Sequence, residues 1–182
     1  MRKPRTLATI ITLVALALTT GLTAAGLPSE ETGASQEPAV NRVLDDFHQA
    51  AAEADEARYF DHLAEGAVFL GTDASERWTK TAFREFAHPH FAAGRGWKFT
   101  PTERHLAFSA DGSTAWFDEL LASESYGTCR GSGVLQRVAG QWKIEHYHLT
   151  IPIPNDLAKE FVARIRESAA RKVGSDSQGE AP

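Results

Sequence analysis

Two histidines one residue apart, His146 and His148, stand in the last apolar stretch of the chain, Gln141 to Ile151. Neutral imidazole is a common metal ligand and titrates near neutral pH, so a pair at i and i+2 of one strand can share an ion or pass a proton. Strict period-two alternation puts Trp142, Ile144, His146 and His148 on one side and Lys143 and Glu145 on the other. Both histidines are therefore expected to face inward, and Tyr147 to face an outer or dimer-facing surface. A catalytic zinc would need a third protein ligand and an open position. Asp118, Glu119 and His105 are available, but no spacing singles one out. The plainer reading is a histidine pair bonded to strand neighbours or lining a wet pocket. No metal or cofactor is assigned.

Asp118 and Glu119 lie among Trp116, Phe117, Leu120 and Leu121, an unusual place for two carboxylates, because a buried charge is costly unless paired. Alternation sends them to opposite faces, both equally apolar, so the pattern does not choose between them. Whichever faces inward is expected to have its pKa raised by desolvation, which suits a proton shuttle, with His148 or Arg130 steadying a developing oxyanion. The structural alternative is an acid paired with Arg130 or His148. Arg130 opens Arg-Gly-Ser-Gly, where glycines in a strand let a backbone or ligand come close, and its guanidinium suits either a substrate carboxylate or an internal partner. Asp73 and Glu76 precede Trp78 at a strand-to-helix connection; Asp73 reads as a turn-stabilising residue or a ligand contact, Trp78 as lid or core. Cys129, beside Arg130, is a candidate for a lowered pKa, though a lone thiol is usually packing. The candidate catalytic set is thus Asp118, Glu119 and His148, and the candidate ligand-binding set Asp73, Trp78, Arg130 and His146.

These residues need a scaffold. Val40, Val43, Leu44, Phe47, Ala50, Ala51 and Ala54 recur at helical spacing behind Pro38. Asp55 can cap a short helix carrying Tyr59, Phe60 and Leu63, and residues 67–70 then read as a buried strand ended by Gly71. Thr79 opens an aromatic helix in which Pro89 should cause a bend or break. Strands follow over 97–108, 114–125, 129–138 and 141–151, separated by Asp111-Gly112, Tyr126-Gly127 and Ala139-Gly140, the punctuation of an antiparallel meander. Asn155 caps a last helix with Leu157, Phe161 and Ile165 on one stripe. Helices followed by a curled antiparallel sheet make an α+β cone, whose blind cavity is the default place for a ligand.

The ends read differently. Residues 1–25 join a basic start (Arg2, Lys3, Arg5) to an apolar run and the small residues Thr23-Ala24-Ala25, the pattern of a cleavable signal peptide. The mature protein is expected to be secreted, or periplasmic where an outer membrane exists. Uncleaved, the segment would be an N-terminal membrane anchor; after cleavage no stable membrane insertion is expected. Residues 26–37 read as a disordered linker and 169–182 as a disordered tail, leaving one domain over 38–168. A single cysteine excludes an internal disulfide. The net charge of −5 becomes more negative by three when Arg2, Lys3 and Arg5 leave, and no basic stripe interleaves with aromatics, which argues against a nucleic-acid partner.

The order of elements, with Gly71-Thr72-Asp73, Glu76, Trp78, Arg130-Gly131-Ser132-Gly133 and the run Tyr147 to Asn155, resembles the SnoaL-like family of the nuclear-transport-factor-2-like superfamily over about Ala39 to Ile165. The resemblance implies a cone shared by enzymes and plain binding modules, so it settles no chemistry by itself. Homologous folds often dimerise through the open face of the sheet, which makes a homodimer an expectation. Two functions follow: an exported pocket protein for a small, largely apolar organic ligand, or a cofactor-free isomerase, cyclase or dehydratase using a cavity carboxylate with His/Arg support.

Overall fold

The apolar stripe around Val40 to Ala51 forms helix α1 (Glu30–Ala52) in the computed structural model, which describes residues 30–176. Val40, Leu44, Phe47, Ala50 and Ala51 are its buried face. The signal-like residues 1–25 and the last six residues of the tail lie outside the described residues. α1 starts well ahead of Pro38, inside the stretch expected as linker: glutamate, alanine and glutamine favour helix, and the proline removes one backbone bond without ending it. Asp55 caps α2 (Glu56–Asp61), its carboxylate accepting from the Arg58 amide at 3.1 Å.

Leu63, expected on that helix, instead begins β1 (Leu63–Leu70), and a short β2 (Arg77–Thr79), absent from the sequence reading, pairs back on it, placing Trp78 opposite Phe69. Thr79 caps α3 (Lys80–Ala92). That helix runs through Pro89 without a break, because the proline sits in its last turns, where one missing amide bond costs little continuity. β3 (Thr100–Phe108), β4 (Thr114–Ser123), β5 (Gly127–Val138) and β6 (Gln141–Thr150) form the expected meander. The β5–β6 turn holds Ala139 and Gly140 at φ 51° and 85°, the mirror-image two-residue turn that matches strand twist. α4 (Ala158–Asp176) starts three residues after Asn155 and runs into the expected tail; its stripe of Leu157, Phe161 and Ile165 remains exposed.

The sheet order is β2-β1-β6-β5-β4-β3, curled and unclosed, with β1 parallel to β6 and its other described pairings antiparallel. The helices α1, α2 and α3 fill its concave face with Phe47, Tyr59, Phe60, Phe83 and Phe91. One irregularity decides the orientation of the last strand. Val134 pairs with His146 and Leu135 with Ile144, so Glu145 is an extra, unpaired residue: a β-bulge. Trp142 and Ile144 point into the core as expected, but beyond the bulge the inward residues are Tyr147, 2% exposed, and Leu149. His146 and His148 are turned to the outer face, correcting the expectation from strict alternation, and Tyr147 is turned from outer to inner.

Candidate functional site

β4 divides the carboxylate pair. Asp118 is exposed on the outer face, while Glu119, 1% exposed, points into the cone. Three side chains converge on it. His48 of α1 bonds Oε1 through Nε2 at 2.7 Å, the Tyr147 hydroxyl donates to the same oxygen at 3.0 Å, and Arg104 of β3 donates to Oε2 at 2.8 Å. Arg104 in turn donates to the Asn41 side chain at 3.0 Å and pairs with Asp45 at 2.8 Å, tying the cluster to α1. Burial pushes the Glu119 pKa up, but the bond from His48 and the attraction of His48 and Arg104 outweigh it and hold the carboxyl below the usual range. The expected upward shift is therefore reversed, because the buried acid is saturated with partners. Burial and the neighbouring carboxylate drive Tyr147 well above an ordinary phenol, so it stays protonated and donates.

Gly131 makes this cluster possible. A Cβ there would stand 2.4 Å from the Tyr147 hydroxyl and 2.8 Å from Glu119 Oε1, so the Arg-Gly-Ser-Gly glycines admit side chains from neighbouring strands. Arg130 itself is exposed on the outer face, opposite Leu120 and Thr150, and does not reach the buried acid, whose cation is Arg104. Cys129 faces inward and burial pushes its thiol up, opposite to the lowering its neighbour suggested. His148 shares a register row with Ser132 and Asp118 on the outer face, and His146 one with Val134 and Trp116. Among the described residues no group of three or more His, Cys, Asp or Glu side chains is placed to hold a metal ion.

The cavity lies beside the cluster. Its volume is about 230 Å³, and Trp78, Phe83, Phe86, Trp97, Phe99 and Tyr126 line it. That exceeds the roughly 150 Å³ of a dry cavity that accepts benzene, so one or two fused rings fit. Trp78 stacks on Phe83 and Phe86 with centroids 5.4 and 5.0 Å apart, making it wall rather than lid. Gly71, Thr72 and Glu76 form the polar rim, where Glu76 Oε2 accepts from the Asp73 amide at 3.1 Å. Asp73 is a turn residue, its Oδ1 accepting from the Ser75 amide at 2.9 Å, and it does not line the cavity. Phe69, Trp97, Phe99 and Leu149 form a partition, beyond which a second space of about 20 Å³ is walled by His48 and Tyr147. Such a space holds about one water molecule.

Of the residues singled out from the sequence, the structure brings Glu119 to the buried cluster and Glu76 and Trp78 to the cavity. It leaves Asp73, Asp118, Arg130, His146 and His148 outside both. No motif marks His48 or Arg104, and alternation alone assigns Tyr147 to the outer face. His48 sits four residues after Leu44 and three before Ala51, on the apolar stripe of α1, and that placement was a usable signal.

Residues 40–154 match the SnoaL-like domain. Among solved structures, a nuclear-transport-factor-2-like protein of unknown function from Pseudomonas putida is similar at 17% identity, over 71% of this chain and 92% of that one, with a TM-score of 0.59. A Novosphingobium aromaticivorans protein provisionally named scytalone dehydratase is 13% identical over 69% of this chain and 89% of its own, with a TM-score of 0.58. A provisionally named dehydratase of the same superfamily from Streptomyces avermitilis is 13% identical over 66% and 99%, with a TM-score of 0.57. At these identities the likeness is one of fold. No curated protein matches the sequence.

Proposed function

The chain belongs to the SnoaL-like domain family, and from that premise we propose that it is an exported pocket protein binding a small, largely apolar organic molecule. The observation that carries this reading is the aromatic cavity of about 230 Å³, which matches one or two rings in size and is lined by few polar side chains, Thr72, Glu76 and His90 among them. Export is supported by the signal-like residues 1–25. Among the described residues no helix is long and apolar enough to cross a membrane. Pairing with a second copy through the outer sheet face is supported by Trp116, 48% exposed there. Light scattering of Trp116→Glu against the parent chain tests it, and an unchanged mass would remove it.

The binding test is titration with mono- and bicyclic aromatic compounds, read by indole fluorescence and melting temperature. Ligand is expected to perturb Trp78 and Trp97 emission and raise the melting temperature. Phe86→Ala, a change at a side chain 47% exposed, should weaken binding roughly tenfold while barely altering the empty protein's melt. If no compound of that size changes either signal, the pocket reading fails.

A second reading has its own support in His48 and Tyr147, which wall the inner space: a cofactor-free proton-transfer enzyme. With Nε2–H committed to ionised Glu119, His48 would use Nδ1 to take a proton, Glu119 holding the ring as an orienting acid does. Tyr147 would turn its single O–H from Glu119 to a developing oxyanion as charge builds there. Binding ranks first because the inner space is too small for reacting atoms until the Trp97–Phe99 partition moves. A bound compound recovered chemically changed, with the change abolished in His48→Gln while binding persists, would reverse that ranking.

A further inference from the structure

The aromatic cavity has a charge character that its size does not express. Seven of its twelve lining residues are Phe, Tyr or Trp, one is a carboxylate, Glu76, and no lysine or arginine lines it. The nearest cation in sequence, Arg77, cannot neutralise Glu76 across the cavity. It is paired opposite Leu70 on the outer face, where its charge is felt by His146 instead. Glu76 is also held in place. Its Oε2 takes the Asp73 amide, and the carboxylate lies so close over Gly71 that a Cβ there would stand 2.2 Å from Oε2. Glycine at position 71 leaves the room that the carboxylate occupies. A fixed negative charge at the edge of a pocket walled by π-systems is the arrangement that attracts organic cations: the ring faces and the carboxylate favour the same sign, and an apolar cation is easily desolvated.

Resting on the pocket reading above, we infer that the cavity selects a ligand carrying a cationic head, a quaternary or protonated amine on a ring-sized apolar body. The head sits at the Glu76 end, against Trp78, with the apolar body directed toward Phe69 and Leu149. Neutral rings of the same shape bind more weakly, and carboxylates and sulfonates are refused. The deep cluster does not compete for the cation, because Glu119 is already neutralised by Arg104 behind the partition.

The test uses a pair of equal shape and opposite charge character, phenyltrimethylammonium and tert-butylbenzene, with benzenesulfonate as the anion. All three are titrated at pH 8. The expected order is cation, then neutral isostere, with no detectable sulfonate binding. Glu76→Gln, which keeps an oxygen for the Asp73 amide, should weaken the cation roughly 5- to 30-fold and leave tert-butylbenzene within about twofold. Trp78→Leu provides a second variant, expected to weaken the cation more than the isostere. If tert-butylbenzene binds as tightly as the cation, or Glu76→Gln weakens both equally, the cation inference is overturned while the pocket stands. If neither compound binds the parent protein, the pocket reading falls with it.

Discussion

The two faces of one sheet carry the same kinds of residue and put them to opposite uses. Inside, the buried His48 and Tyr147 and the half-buried Arg104 all bond to the buried Glu119; outside, Asp118, His146, His148 and Arg130 are spread over register rows at the surface. An acid, a histidine and an arginine occur on both sides. What differs is convergence: the concave curl and α1 bring inner side chains from two other strands and a helix to one carboxylate on β4, whereas the outer face keeps its side chains apart. Chemical type therefore says little about role until the face is known.

The comparison is sharpest at the adjacent pair Asp118 and Glu119. Glu119→Leu leaves the Arg104 charge buried without its principal partner and should cost about 3–5 kcal/mol, whereas Asp118→Leu should stay within about 0.5 kcal/mol. Urea unfolding measures both, and equal losses would erase the distinction between the faces. The pair should differ in acid as well. Because the Glu119 pKa is lowered on folding, it contributes stability that is fully present above its ordinary value of 4.5 and lost as the pH falls through the folded value. Asp46, held by Arg58 down to about 2, acts with the same sign, but its exposure keeps its share small. Melting temperature followed from pH 7 to pH 2 should fall in the parent below about pH 4.5. In Glu119→Gln it should fall less.

A smaller effect tests whether the cluster or the strand owns Gly131. Gly131→Ala should destabilise by about 1–3 kcal/mol through overpacking against the Tyr147 hydroxyl. Combined with Tyr147→Phe, the loss should be less than the sum of the single changes, since the nearer of the two clashing atoms is gone. Additive losses would mean that the glycine serves the backbone alone. The smallest effect belongs to the outer histidines: His146→Ala and His148→Ala should each change stability by about 0.5 kcal/mol or less and leave pocket affinity untouched. A larger change in affinity would place them in the site after all.

Much of this was legible in the residues. The helical stripe of α1, the meander with its three glycine turns and the anomaly of two acids in an apolar strand all follow from periodicity and composition. The side to which each acid turns did not, because both faces of β4 are apolar. The orientation of β6 departs from strict alternation for a definite reason: inserting Glu145 unpaired reverses the alternation, and no residue type there marks it. β2 escaped notice because three residues are too few to show a period. The direction of the Glu119 pKa shift is not legible in sequence, which shows burial but not the partners, His48 and Arg104, that other segments bring to it.

The pairing of β1 with β6 has a bearing on how the chain reaches this form. The first strand of the sheet lies parallel to the last, Phe69 beside Tyr147, and the buried acid at 119 must find a histidine 71 positions earlier. Loop closure on that scale precedes the contacts that reward it, which places the protein among slow, topologically demanding folders. A chain ending before β6 would have neither the interior neighbour of β1 nor the Tyr147 donor. Folding is therefore expected to be all-or-none over the whole of β1 to β6, with no stable N-terminal half.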